Sequence, residues 1–136
     1  MSPTAAVFDP ASGTVTATLT GEVGEADVAA WREGLAACLE ALPRDGRFAL
    51  LVDTRGYAPA SLAAHRAYRE AVADAGEDGR IAAVAFVHHD AYKMRLLQEQ
   101  EGTGDVGYFA DVEEARAWLR HRVAGGILDT PRRRAV

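Results

Sequence analysis

Phe48-Ala49-Leu50-Leu51-Val52 and Ile81-Ala82-Ala83-Val84-Ala85-Phe86-Val87 are the two stretches on which the fold turns. Each is an apolar run of strand length closed by polar residues, Asp53-Thr54-Arg55 after the first and His88-His89-Asp90 after the second. Unbroken apolar character suits a strand covered on both faces, the setting of a parallel sheet inside an α/β layer structure. Helical patterning lies between the two runs. They are therefore expected side by side and pointing the same way, with the loops that leave them on one rim.

Upstream, Ala5–Phe8 and Thr14–Leu19 flank Asp9-Pro10-Ala11-Ser12-Gly13, a turn-rich link of hairpin length. Val15, Ala17 and Leu19 alternate with Thr14, Thr16, Thr18 and Thr20, the period of a half-buried strand towards a sheet edge. Gly21 to Gly24 breaks that period. Val28, Trp31, Leu35, Leu39 and Leu42 then step by three or four residues, one apolar stripe along a helix from Glu25 to Leu42 that Pro43 ends. Cys38 lies beside this stripe and reads as an inert packed thiol.

After Val52, residues 54–60 read as a loop, and Ser61 as the N-cap of a helix with Leu62, Tyr68, Val72 and Ala75 inward, ending at Gly76. Asp90 caps a third helix, Ala91–Glu101, offering Met94, Leu97 and one side of Tyr92. Val106–Phe109 is a short last strand. Asp111 caps a closing helix with Val112, Ala115, Trp118, Leu119 and Val123 inward, closed by Gly125-Gly126. The expected order is ββαβαβαβα: one α/β domain over residues 5–124 with a mixed, mainly parallel sheet. Residues 1–4 read as disordered, and residues 125–136, with Pro131-Arg132-Arg133-Arg134, as a flexible basic tail.

Composition sets the outer bounds. The chain has 136 residues, 49% of them hydrophobic and 26% charged, which fits one globular domain and excludes general disorder. A net charge of −5 speaks against a nucleic-acid partner. The single cysteine cannot form an internal disulfide, which suits a reducing, cytoplasmic setting. The first residues lack a signal-peptide pattern, and no apolar run is long enough for a membrane span.

Three stretches carry a family resemblance: Thr16-Ala17-Thr18-Leu19-Thr20-Gly21-Glu22-Val23, Leu50-Leu51-Val52-Asp53, and Phe109-Ala110-Asp111-Val112-Glu113-Glu114-Ala115-Arg116-Ala117-Trp118-Leu119. In this order the chain resembles the STAS domain, the fold of anti-sigma-factor antagonists and sulfate-transporter tails. It is closest to the SpoIIAA-like (STAS/SEC14-type) branch of small bacterial proteins. The resemblance implies a module that binds another protein, switched in many members by phosphorylation at the start of the helix after the central strand. That place reads Asp-Ser-Ser-Gly or Asp-Ser-Thr-Gly in switchable members. Here it reads Pro59-Ala60-Ser61-Leu62-Ala63, so Ser61 is the one hydroxyl left and the glycine is missing.

Ligands in parallel α/β sheets gather outside the carboxyl ends of the strands. Asp53, Thr54 and Arg55 fall there, as do His88, His89 and Asp90. Tyr57, His65 and Tyr92 sit at the same end and could line a pocket for a small apolar ligand. Three functions remain open. The first is a non-enzymatic regulatory module docking a protein on this rim, without the phospho-serine switch. The second is a carrier of a small hydrophobic ligand or lipid. The third is a small enzyme using Asp53 with His88 or His89 as base. No cofactor or metal is expected, since adjacent histidines at a strand end point apart. The open hairpin edge suggests a homodimer.

Overall fold

The structure, a computed structural model, describes residues 4–135, with side chains as far as Ala124. Five strands form one sheet in the order β1-β2-β3-β4-β5. They are β1 (Thr4–Asp9), β2 (Thr14–Val23), β3 (Phe48–Pro59), β4 (Ile81–Val87) and β5 (Val106–Phe109). β1 pairs antiparallel with β2, and every other pairing is parallel. Leu50 faces Val84 in the parallel β3–β4 register, so the two apolar runs lie side by side as expected. The helices are α1 (Glu25–Glu40), α2 (Leu62–Gly76), α3 (Ala91–Glu101) and α4 (Val112–Ala135). The ββαβαβαβα order is observed.

Two cores sandwich the sheet. On one face Val15, Leu19, Leu50, Val52 and Val84 meet the α1 stripe of Val28, Trp31, Leu35 and Leu39 and the α2 residues Tyr68, Val72 and Ala75. On the other, Ala49, Leu51, Ala83, Ala85 and Val87 meet Ala115 and Leu119 of α4. Alternation along each strand sends successive side chains to opposite cores, which is why β3 and β4 had to be apolar throughout. Among the described residues no helix is long and apolar enough to cross a membrane.

The structure corrects three expectations. β2 does not break at Gly21, and residues 54–59 are not a loop. Instead the two segments pair with each other, Thr20 with Gly56 through Val23 with Pro59, after a register shift. Gly21 takes φ 70°, a conformation cheap only for glycine, and Val23 is fully buried as the anchor. Leu62 points outward and is 65% exposed. The buried residues Ala64, Tyr68, Ala71, Val72 and Ala75 set the inward side of α2, and about 3.6 residues per turn puts position 62 on the far side. Finally, α4 continues past Gly125-Gly126 to Ala135, since glycine costs a helix only about 1 kcal/mol and does not end it. The side chains of the expected tail, and residues 1–3, lie outside the described residues.

Candidate functional site

Midway along β3, level with Val87 at the carboxyl end of β4, Asp53 is buried and its carboxylate is held by one neighbour. Arg55 donates Nε to Oδ1 at 3.0 Å, Nη2 to Oδ2 at 2.9 Å and its backbone N–H to Oδ1 at 3.2 Å. Burial pushes this carboxyl up, but the Arg55 bonds and charge outweigh it and hold the pKa below the usual range. Thr54, also buried, donates Oγ1 to the Val87 carbonyl at 2.9 Å and so ties the middle of β3 to the end of β4.

The histidines of the next loop bond elsewhere. His89 Nδ1 lies 2.8 Å from the Arg55 carbonyl, which makes it the donor. His88 Nδ1 accepts the Asp90 N–H at 3.1 Å. The two imidazoles stack with centroids 4.3 Å apart. Burial, with the neighbouring His89 and Lys93, lowers the His88 pKa. The loop after β4 is thus joined to β3, but Asp53 bonds to Arg55 and to neither imidazole. A base needs its orienting carboxylate within hydrogen-bond reach, and the rim does not assemble one from these residues. Among the described residues no three His, Cys, Asp or Glu side chains gather as a metal cage.

Against the core under α1 and α2 lies an aromatic group. Tyr57, on the extended end of β3, places its hydroxyl 3.3 Å from His65 Nδ1. Tyr57 and His65 stack with centroids 6.3 Å apart, and Tyr68 meets them at 5.1 and 5.9 Å. The three rings pack on one another. Desolvation, with Arg69 and Lys93, depresses the His65 pKa, and burial raises those of Tyr57 and Tyr68. Tyr92 stands apart, 66% exposed at the start of α3.

Both helices that start on the rim are capped from the sequence. Ser61 Oγ accepts the Ala64 N–H at 3.0 Å, and Asp90 Oδ1 accepts the Lys93 N–H at 3.0 Å. Each cap satisfies an otherwise orphaned donor. Tyr68, Arg69 and Lys93 were not among the sequence candidates. Tyr68 looked like plain core, although its spacing of three from His65 puts both on one helix side. Arg69 and Lys93 were hidden because their field at the rim depends on how α2 and α3 converge.

Set against known proteins, residues 14–120 match the SpoIIAA-like family. The chain belongs to that family. Among solved structures it is similar to an uncharacterized protein with a SpoIIAA-like fold from Shewanella loihica. There the TM-score is 0.61 at 16% identity, covering 85% of this chain and 91% of that one. It is also similar to an anti-sigma factor antagonist from Mycobacterium paratuberculosis, with TM-score 0.59 at 14% identity, covering 86% and 92%. Both likenesses establish the fold. No curated protein matches the sequence.

Proposed function

We propose that the chain is a non-enzymatic regulatory module of the cytoplasm that captures a partner protein on the carboxyl-end rim of β3 and β4. The observation that carries this reading is the His89–Arg55 bond at 2.8 Å, which ties the loop after β4 to the projecting half of β3 in one surface. Near it stand Arg55, paired with Asp53 and in the field of Asp111, and Lys93 with Asp90 beside His88, while two exposed apolar side chains, Leu62 and Tyr92, mark the starts of α2 and α3. Such a surface, mixed in charge beside exposed apolar groups, suits a protein partner with complementary charges around an apolar contact. The likeness to an anti-sigma factor antagonist supports a regulatory partner.

The rim's polar groups bond to one another as structural links, which favours docking over catalysis. A carrier of an apolar ligand would need a hollow among Tyr57, His65 and Tyr92, whereas Tyr57 and His65 pack with Tyr68 instead. Ser61 spends its hydroxyl on the helix cap, and the reading assigns it no phosphate switch.

The test is cross-linked capture from native lysate with quantified recovery. Wild type and Ser61→Asp are expected to retain the same partner. Arg55→Glu combined with Lys93→Glu is expected to lose it at least tenfold; Asp53 loses its partner in this variant, so thermal unfolding checks that the fold is kept and Lys93→Glu alone, expected to weaken capture less, is measured beside it. Capture that survives the double charge reversal would place the partner elsewhere. Capture abolished by Ser61→Asp alone would restore the switch.

A further inference from the structure

The two edges of the sheet are treated differently. On β5 the edge is sealed from within: Gln98 Oε1 accepts the Tyr108 N–H at 2.8 Å, and Thr103 Oγ1 accepts the Val106 N–H at 3.0 Å. The Val106 carbonyl takes the Thr103 N–H at 2.9 Å. On β1, Ala5 to Phe8 carry no hydrogen bond beyond the hairpin with β2 among the described residues. Alternate residues of an antiparallel edge strand aim N–H and C=O away from the sheet, which makes β1 a template for another strand.

Between Thr4 and Phe8 the strand lacks the charges and prolines that usually defend an edge. Thr4-Ala5-Ala6-Val7-Phe8 contains no lysine, no proline and no charge before Asp9. Its faces differ as well. Ala6 and Phe8 pack into the α1 core, while Val7 is 62% exposed on the opposite face, where α4 packs over β3, β4 and β5.

We propose that β1 is a self-association edge: a second copy of this chain adds its own β1 antiparallel, about a two-fold axis perpendicular to the sheet at Val7. Strand partners must share a face, so Val7 lies opposite its own counterpart, Ala6 opposite Phe8, and Ala5 opposite Asp9. Self-pairing suits this segment because a symmetric contact brings like to like, and a neutral segment suffers no repulsion. The two Asp9 carboxylates are kept about 14 Å apart along the strands, four residues at about 3.4 Å each. That exceeds the screening length of about 8 Å at physiological salt, so the net charge of each copy does not forbid the contact. Between Thr4 and Phe8 a charged foreign strand finds no matching charge to choose it. This inference is independent of the rim reading, since β1 lies two strands away from β3.

Sedimentation equilibrium of the full chain, with Val7→Lys and Val7→Glu beside wild type, tests it. Val7 is exposed, so both variants should fold, which thermal unfolding checks. Wild type is expected to dimerise reversibly, and each variant to weaken dimerisation at least tenfold. An equimolar mixture of the two should recover a heterodimer, because lysine then faces glutamate with Cβ atoms roughly 5 Å apart. Wild type that stays monomeric at about 1 mM, where even a 4 kcal/mol association is visible, overturns the proposal and leaves the edge vacant or open to a foreign strand. A dimer untouched by both substitutions, or a mixture that stays monomeric, overturns the placement at Val7.

Discussion

The sheet carries the same fork at both of its ends. At the carboxyl end, Asp53-Thr54-Arg55 closes a bidentate pair between residues two apart. At the amino end, Asp78-Gly79-Arg80 does the same, with Nε to Oδ1 at 3.0 Å, Nη2 to Oδ2 at 2.7 Å and backbone N–H to Oδ1 at 2.9 Å. What differs is the rest of each arginine. Arg80 also donates Nη1 to the Leu42 carbonyl at 2.9 Å, tying the end of α1 to the start of β4, and its own carbonyl accepts the Phe48 N–H at 2.8 Å. The hollow around it sets Arg44, Arg47 and Arg80 against Glu40, Asp45 and Asp78, a balanced charge. Among the described residues Arg55 has no such second anchor for its guanidinium, which stays 48% exposed, and it turns its carbonyl to His89. One fork is spent inside the fold; the other holds a buried carboxylate while presenting a cation. Identical local chemistry therefore does not define a site. What surrounds it does.

The largest expected effect breaks both ends at once. Leu50 is fully buried in β3 beneath the α1 and α2 core and faces Val84. Leu50→Ala should lower stability by about 2–5 kcal/mol through lost transfer energy and the cavity left behind. Urea unfolding should show the imidazole signals of the carboxyl-end rim and the amide of Arg80 disappearing in one transition. Two separate transitions would mean that the ends are not coupled through β3 and β4.

A smaller effect separates the forks. Arg55→Ala leaves the Asp53 carboxylate in its buried setting without the bonds that outweigh burial. Its pKa should then rise above the ordinary value of about 3.9. The stability cost at neutral pH should be about 1 kcal/mol, well under the roughly 3–5 kcal/mol of a fully buried pair, because Arg55 is half in water. Arg80→Ala should let Asp78, which is less buried, simply return to its ordinary value, and should act instead on the end of α1 through the freed Leu42 carbonyl. Carboxyl carbon chemical shifts followed through an acid titration of both variants give the comparison directly. Equal pKa values for the two aspartates in these variants would show that burial does not distinguish the ends.

Much of this was legible in the sequence, and the failures share a cause. The apolar runs of β3 and β4 announced burial on both faces, and the caps at Ser61, Asp90 and Asp111 were written in residue types that bond locally. The residues bordering the rim came out of the same logic, since strand order fixes where loops emerge. What was not legible is non-local. The β2–β3 extension exists because Thr20–Val23 and Gly56–Pro59 satisfy each other's backbone, which neither segment shows alone. Asp53 went to Arg55, a partner at close sequence range, rather than to the histidines brought near by the sheet. Residue type alone points Leu62 inward, whereas the stripe from Ala64 to Ala75 turns it out.

The smallest expected effect is a pH dependence that belongs to the carboxyl end alone. His65 and His88 both lie below the ordinary imidazole value of about 6.5, each chiefly because burial disfavours the cation, with Lys93 adding repulsion at both. Facing His88 are His89, Lys93 and Asp90; of these Asp90 opposes the shift. In the window just beneath pH 6.5 the unfolded chain binds more protons than the folded one, so stability is complete above 6.5 and falls as the pH drops towards the folded values. The forks contribute lower down: Asp53 and Asp78 stabilise above about 3.9 and lose that contribution as the pH falls through their depressed values. Urea midpoints between pH 7.5 and 5 should therefore decline gently for wild type and less so for His65→Phe with His88→Gln. Neither fork titrates in that interval, so the amino end should be silent. If the double variant kept the full wild-type slope, the rim imidazoles would not be the groups resisting protonation, and the electrostatic difference between the two ends would rest on Arg55 alone.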